Sequence, residues 1–240
     1  MSQENKARDF SKAVKTYREN AIVQRQMAKK LACLVFDFCG GNFEKILEIG
    51  AGTGFLTENT VKTFTYGKLI LNDITDNFTG FSDCEYIKGD ACRVEFPDDC
   101  NLIISNACFQ WFLDIGAFLD KIQKNLAKDG VLAFSSFGEQ NCRQFSEIEH
   151  TGLKYPNYKK ILEKRNWEIL AYEEEIQTLY FSSPLKVLRH IKSTGAMITD
   201  NKVWNKGRLK TFEECYARKF CDGNGFELTY NPLYIVAKPR

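Results

Sequence analysis

The stretch KILEIGAGTGFLTE, Lys45 to Glu58, decides the reading of this chain. Its apolar run, Ile46 to Ile49, is interrupted by one acid, Glu48, and is followed by glycines at every second position, Gly50, Gly52 and Gly54. A short apolar run of this kind predicts a buried strand, and Phe55 to Phe64 has helical spacing. Glycine adopts positive φ and, lacking Cβ, lets a ligand approach the backbone. Glycine-rich bends between a strand and a helix are therefore nucleotide sites. The dinucleotide fingerprint is GxGxxG, but here Phe55 stands where its last glycine belongs.

Working outward, further strands are expected at Lys68 to Asp73, Cys84 to Lys88, Asn101 to Ser105 and Gly130 to Phe137. Helices are expected over residues 11–39, closed by Gly40-Gly41-Asn42, and over Ile115 to Leu126. Alternation of this kind predicts a parallel sheet with helices on both faces and ligands at the carboxyl ends of its strands. Beyond Phe137 the pattern changes. Glu168 to Phe181 alternates in part as a strand, Pro184 to Thr194 reads as a helix, and Thr211-Phe212-Glu213-Glu214 has the form of a capping box. After a turn at Gly223 to Gly225, FELTYNPLYIVAKP is strand-like to the end.

The 240 residues, 44% hydrophobic, suit one large domain or a domain with an insertion. A formal net charge of +2 gives no reason to expect a general nucleic-acid binder. Nine cysteines form no CxxC pair and there are only two histidines, His150 and His190. That argues against a bound metal or a disulfide framework and for reduced, mostly buried thiols. The polar N-terminus lacks the apolar core of a signal peptide, and no run reaches membrane-span length, so a cytoplasmic protein with no membrane partner is expected.

Glu48 would repel a pyrophosphate but suits a cationic ligand. S-adenosylmethionine carries a sulfonium and an amino cation, and the [DE]xGxGxG pattern resembles motif I of the class I methyltransferases. Asp73, ending the second strand, is placed to accept from ribose hydroxyls. Asp90, in Gly89-Asp90-Ala91, matches the position where that class meets the adenine amino group, and Asn106, in Ser105-Asn106-Ala107, lies where it flanks the sulfonium.

Over nearly its whole length the chain resembles the malonyl-[acyl-carrier protein] O-methyltransferases of biotin synthesis. FSKAVKTYRENAIVQ (10–24), with Phe10, Ser11, Ala13, Tyr17, Ala21 and Gln24, is similar to that family's N-terminal helix. SNACFQWFLD (105–114), SPLKVLRHIKSTGA (183–196) and LTYNPLYIVAKP (228–239) resemble three further segments, with Asn231 where the family has histidine. The resemblance implies a Rossmann-like α/β fold, a mostly parallel seven-stranded sheet with helices on both faces and a helical lid. It divides a single domain into an N-terminal cap (1–41), a cofactor-binding core (42–137), a substrate lid with sheet completion (138–222) and a C-terminal strand (223–240). It implies S-adenosylmethionine as donor and S-adenosylhomocysteine as product, held by Gln24, Glu48, Gly50, Ala51, Gly52, Gly54, Asn72, Asp73, Ile74, Asp90, Ala91 and Asn106. The acceptor it implies is the free carboxylate of a malonyl thioester on an acidic acyl-carrier protein or on coenzyme A.

A carboxylate has a pKa of about 4 and is already a nucleophile at neutral pH. Such chemistry needs alignment and a dry pocket more than a base. Arg189 and Lys192, three apart on one helix face, are candidates to hold the malonyl group, with Tyr17 closing the pocket and Trp111 walling it. Lys186, Arg189, Lys192, Lys202, Lys206, Arg208, Lys210, Arg218 and Lys219 crowd the C-terminal third, with Asp200, Glu213 and Glu214 between them. A basic face suits an acidic carrier. Alternatives are a methyltransferase for another small acid such as trans-aconitate, a non-catalytic cofactor-binding protein, and an NAD-linked oxidoreductase.

Overall fold

The structure is a computed structural model that describes residues 16–75, 81–149, 155–194 and 204–240. Phe10, Ser11, Ala13, Gly195, Ala196, Asp200 and Lys202 of the sequence reading lie outside the described residues, as does His150. Residues 16–20 are helical; the helix breaks at Ala21 (φ −81°, ψ 55°), and α1 then runs Ile22–Cys39. The long helix expected up to residue 39 is thus interrupted. Gly40 closes α1 at φ 77°, its N–H donating to the Phe36 carbonyl.

The following elements are β1 (Asn42–Ile49), α2 (Phe55–Thr63), β2 (Thr65–Asp73), β3 (Glu85–Lys88), β4 (Cys100–Asn106), α3 (Ile115–Asn125), β5 (Leu126–Phe137), α4 (Arg143–Glu149), α5 (Tyr158–Glu163) and β6 (Trp167–Glu174). Then come β7 (Gln177–Phe181), α6 (Pro184–Ser193), α7 (Lys206–Phe220), β8 (Cys221–Asp222), β9 (Gly225–Tyr230) and β10 (Pro232–Pro239). The main sheet has seven strands in the order β3-β2-β1-β4-β5-β10-β6. The first five are parallel, and β10 runs antiparallel to both neighbours.

Strand alternation explains the two cores. Ile46, Leu102, Ile104, Val131 and Ala133 face one side, where α1 buries Val23, Met27, Ala28, Leu31 and Val35. Leu47, Ile49, Ile103, Leu132 and Phe134 face the other, against α3 and α5. Both faces are covered, so these strands read as near-continuous apolar runs. Glu48 sits among them on the α1 side, with 1% exposure. The thiols are less buried than expected: all nine are free, but only Cys100 and Cys142 are buried, while Cys33, Cys92 and Cys221 are exposed. Among the described residues no helix is long and apolar enough to cross a membrane.

Three expectations beyond Phe137 change. Glu168 to Phe181 is two strands in two sheets, since β7 joins β9 and β8 in a separate three-stranded sheet. The helix expected from Thr211 begins at Lys206, because Asn205 caps it, accepting from the Arg208 N–H at 2.8 Å. The strand-like tail expected from residue 223 divides at Asn231, with β9 pairing in the small sheet and β10 in the large one.

Asn231 is the joint. It is fully buried; its Oδ1 accepts from the Gln140 N–H at 3.0 Å, its Nδ2 donates to the Glu175 carbonyl at 2.8 Å, and its own N–H donates to Asn141 Oδ1 at 3.1 Å. A Cβ added to Gly138 would come within 2.4 Å of Asn231 Oδ1, so glycine is required there for the approach. The residue where the resembling family has histidine therefore ties the end of β5, the β6–β7 turn and the change of sheet. Asn231→Ala removes the partner of the Gln140 N–H and of the Glu175 carbonyl, a loss of about 2 kcal/mol. For a chain of this size that lowers Tm by roughly 4–8 °C in a thermal melt; an unchanged Tm would refute this role.

Candidate active site

Strand order reverses between β1 and β4, and the carboxyl ends of these strands meet at that switch point. Ser105 Oγ donates to the Ile49 carbonyl at 2.7 Å, clamping the end of β4 to the end of β1. The bend after β1 takes positive φ at all three glycines: 73° at Gly50, 53° at Gly52 and 85° at Gly54. At Gly50 a Cβ would lie 2.5 Å from Cys108 Sγ, so side-chain and backbone constraints coincide. At Gly52 a Cβ would meet only the loop's own Gly50 carbonyl, 3.8 Å away, which leaves that side open to a ligand.

Asp73 fixes the bend. Its Oδ2 accepts from the Gly52 N–H at 2.8 Å, and its Oδ1 accepts from the Thr75 N–H and hydroxyl at 2.8 and 2.7 Å. The Gly50 and Ala51 N–H groups donate to the Asn72 carbonyl. The Asn72 side chain is buried and donates to the Ile87 and Gly89 carbonyls at 2.8 and 3.1 Å. Its role is thus to bind β2 to the turn after β3. That turn is held by Asp90, whose Oδ1 accepts from the Cys92 N–H at 2.9 Å. Ala91 is buried, and its carbonyl accepts from Lys121 Nζ at 2.8 Å. Ile74 is half-buried beside Asp73.

Glu48 lies at the base of the bend. Both carboxylate oxygens are buried without a hydrogen-bond partner. Burial pushes its pKa up to about 8; the Thr57 hydroxyl and amide, nearby but outside hydrogen-bond geometry, favour the ionised form, and the Asp73 charge opposes it. Buried orphan oxygens beneath an open glycine bend fit a cationic ligand, since a nearby positive charge restores the carboxylate.

The roof comes from the N-terminal segment. Tyr17 stacks on Phe55 at 5.9 Å between centroids, and burial first, then the neighbouring Cys108 and Asp73, raise its hydroxyl's pKa. Arg18 donates to the Thr53 carbonyl and pairs with Glu58, and the Arg18 and Arg25 guanidinium groups lie 5.2 and 4.9 Å from the Phe55 ring. Asn106 donates to the Gln24 carbonyl at 3.0 Å and accepts from Ser135 Oγ at 2.6 Å, joining α1 to the ends of β4 and β5. Gln24 Oε1 is buried and without a partner. Ala107 is held at φ 50°, a strained value for alanine that places Cys108 over Gly50.

The side beyond the end of β5 is aromatic. Phe137, ending β5, lies 6.2 Å from Tyr155 and 6.1 Å from Tyr230. Tyr230 OH and His190 Nε2 are 2.9 Å apart, and Tyr17 and Tyr155 are close enough to act electrostatically on Tyr230. Arg143 and Gln144 bind Glu227 and Thr229, tying α4 to β9.

The structure thus brings Tyr17, Gln24, Glu48, the three glycines, Asp73 and Asn106 around one point. Arg189 and Lys192 are both exposed, while Val187, His190 and Ile191 form the buried face of α6. Trp111 is half-buried in the turn after β4, where Phe109 stacks on Phe134 at 4.3 Å. Sequence reasoning missed Cys108, Phe55, Arg18, Tyr155 and Tyr230. Tyr230 lay in a quoted segment, yet nothing in its spacing shows which way it points.

A seven-stranded sheet of this order, with an acid-preceded glycine bend at its switch point, defines a class I methyltransferase. A family model described as "Methyltransferase domain" matches residues 47–134. Among solved structures, a methyltransferase of Bacillus halodurans superposes with a TM-score of 0.62 at 17% identity, covering 88% of this chain and 99% of that one. NodS, an N-methyltransferase of Bradyrhizobium japonicum solved with S-adenosyl-L-homocysteine, superposes with a TM-score of 0.51 at 16% identity, covering 90% and 87%. These likenesses concern the fold. The malonyl-[acyl-carrier protein] O-methyltransferase of Calditerrivibrio nitroreducens is 35% identical over 231 residues, 95% of this chain and 94% of the relative. That of Chlorobium luteolum is 34% identical over 96% of this chain and 93% of the relative. The chain belongs to the malonyl-[acyl-carrier protein] O-methyltransferase family.

Proposed function

We propose that the protein transfers the methyl group of S-adenosylmethionine to the free carboxylate of a malonyl thioester on acyl-carrier protein, an early step of biotin synthesis. The observation that carries this reading is Glu48, a fully buried acid with both oxygens orphaned at the base of an open glycine bend. Full-length relatives named for this activity support the choice of acceptor.

When bound, S-adenosylmethionine supplies an electrophilic methyl carbon, and the electrons of the broken carbon–sulfur bond stay on sulfur. Glu48 and the bend from Gly50 to Gly54 hold the donor's cationic end, Asp73 its ribose and Asp90 its base. Gln24 and Asn106 line the same strand ends. The acceptor carboxylate brings its own electron pair, so no residue has to remove a proton. The protein's contribution is alignment and exclusion of water, which Tyr17 provides from above and Phe137, Tyr155 and Tyr230 provide from the lid.

The test is transfer of labelled methyl from S-adenosylmethionine, with malonyl-carrier protein and trans-aconitate compared side by side. Base-labile label on the malonyl carrier, as a methyl ester, is the expected result. Label on trans-aconitate alone would overturn the acceptor assignment.

A further inference from the structure

Of the basic residues that crowd the C-terminal third, those that the structure describes lie on two helices, α6 and α7. Helix α6 carries Lys186, Arg189 and Lys192, all exposed, and no acid. Three-residue spacing keeps them on one side of the helix. The opposite side buries Val187, His190 and Ile191, and His190 Nε2 lies 2.9 Å from Tyr230 OH. Helix α7 packs beside α6 and adds Lys206, Arg208, Lys210, Arg218 and Lys219 against two acids, Glu213 and Glu214. Of these, Lys210 approaches Glu214 at 3.9 Å, and Lys219 donates to the Glu147 carbonyl at 3.4 Å. Among the described residues no acidic side chain pairs with Lys186, Arg189 or Lys192.

We propose that the exposed face of α6, centred on Arg189 and Lys192 with Lys186 beside them, is the docking surface for an acidic face of the carrier protein. This deepens the functional reading above and rests on it for the identity of the carrier. Three cations with no acidic partner among the described residues form a complement to a row of carboxylates, and such complementarity acts mainly on encounter and register. The position is suited to delivery, because on the inner face of the same helix His190 lies 2.9 Å from Tyr230, which lies beside Phe137 at the end of β5. The two cations expected to grip the malonyl group thereby act on the carrier that brings it.

The experiment uses the full chain with Arg189→Glu and Lys192→Glu combined, and Lys62→Glu, exposed at the end of α2, as a control. Methyl transfer is measured on malonyl-carrier protein and on malonyl-pantetheine, which has no protein. Binding of fluorescent carrier is measured by anisotropy, which needs no turnover. The expected result is a fall of roughly 30-fold or more in kcat/KM for the carrier substrate, through KM and with a flattened salt dependence. Carrier binding falls in parallel, Tm is unchanged, and activity on malonyl-pantetheine stays within about twofold. Equal loss on both acceptors would overturn the proposal and return these cations to the malonyl carboxylate. Unchanged carrier binding, or equally tight binding of a poly-uridine RNA, would also overturn it. If the unaltered protein binds the carrier through this face but methylates neither acceptor, docking stands and the reaction assignment fails.

Discussion

Gly50→Ala is expected to raise the dissociation constant for S-adenosylmethionine by roughly 100-fold or more and to lower stability by about 3 kcal/mol. Two independent causes act at this position. The backbone sits at φ 73°, which costs an L-residue about 1–2 kcal/mol. The added methyl would also lie 2.5 Å from Cys108 Sγ and 2.8 Å from its Cβ, well inside contact distance. Cys108 has little room to retreat, because Ser105 clamps its strand end to Ile49 and Ala107 is bonded to Ser135. The bend must therefore open, and the cradle opens with it. The double variant Gly50→Ala with Cys108→Gly separates the causes: the collision disappears, the φ cost stays, and about half of the lost stability returns. Calorimetric titration with the donor and denaturant melts of the parent and both variants provide the check. A Gly50→Ala protein that binds and melts like the parent would show that the bend tolerates a side chain.

Glu48→Gln is expected to stabilise the unliganded protein at alkaline pH while weakening the donor. The folded protein holds the Glu48 proton up to a pKa of about 8, above the ordinary carboxylate value of 4.5. An acid shifted upward favours the folded state fully below its unfolded pKa. That contribution is lost as pH rises toward the folded value. Between pH 5 and pH 9 the parent should therefore lose on the order of 3–5 kcal/mol relative to Glu48→Gln, whose amide does not titrate. A bound cation reverses the balance, since it favours the ionised acid. Donor affinity of the parent should thus increase with pH toward 8 relative to the variant, and binding should release a proton. Urea melts at several pH values and calorimetry in buffers of different ionisation enthalpy measure both effects. If the variant shows the parent's pH profile, the buried acid is not the titrating group.

The local patterns were legible because they depend on near neighbours. The run Ile46 to Ile49, the three glycines and the helix from Phe55 follow from side-chain period and backbone freedom, and so does the alternation that predicts the parallel sheet. Beyond Phe137 legibility declined for a physical reason. Glu168 to Phe181 and the terminal tail each look like continuous strand, because pairing in either sheet requires the same period of two. The side chain that assigns each half to its sheet is Asn231, whose partners Gln140 and Asn141 are about ninety residues away. Similarly, helical spacing put Arg189 and Lys192 on one face, but spacing cannot say whether that face looks inward. The buried Val187, His190 and Ile191 turn it outward.

By itself the sequence determined a glycine bend after a buried strand and an acid before it, and with them the expectation of a cationic rather than a pyrophosphate ligand, since each depends only on local geometry and charge. The tertiary structure alone decided that Cys108 lies over Gly50, that Tyr17 stacks beside the bend on Phe55, and that the cations of α6 face solvent. Those facts depend on which strand ends adjoin and which helix faces are buried, and packing between distant segments determines both.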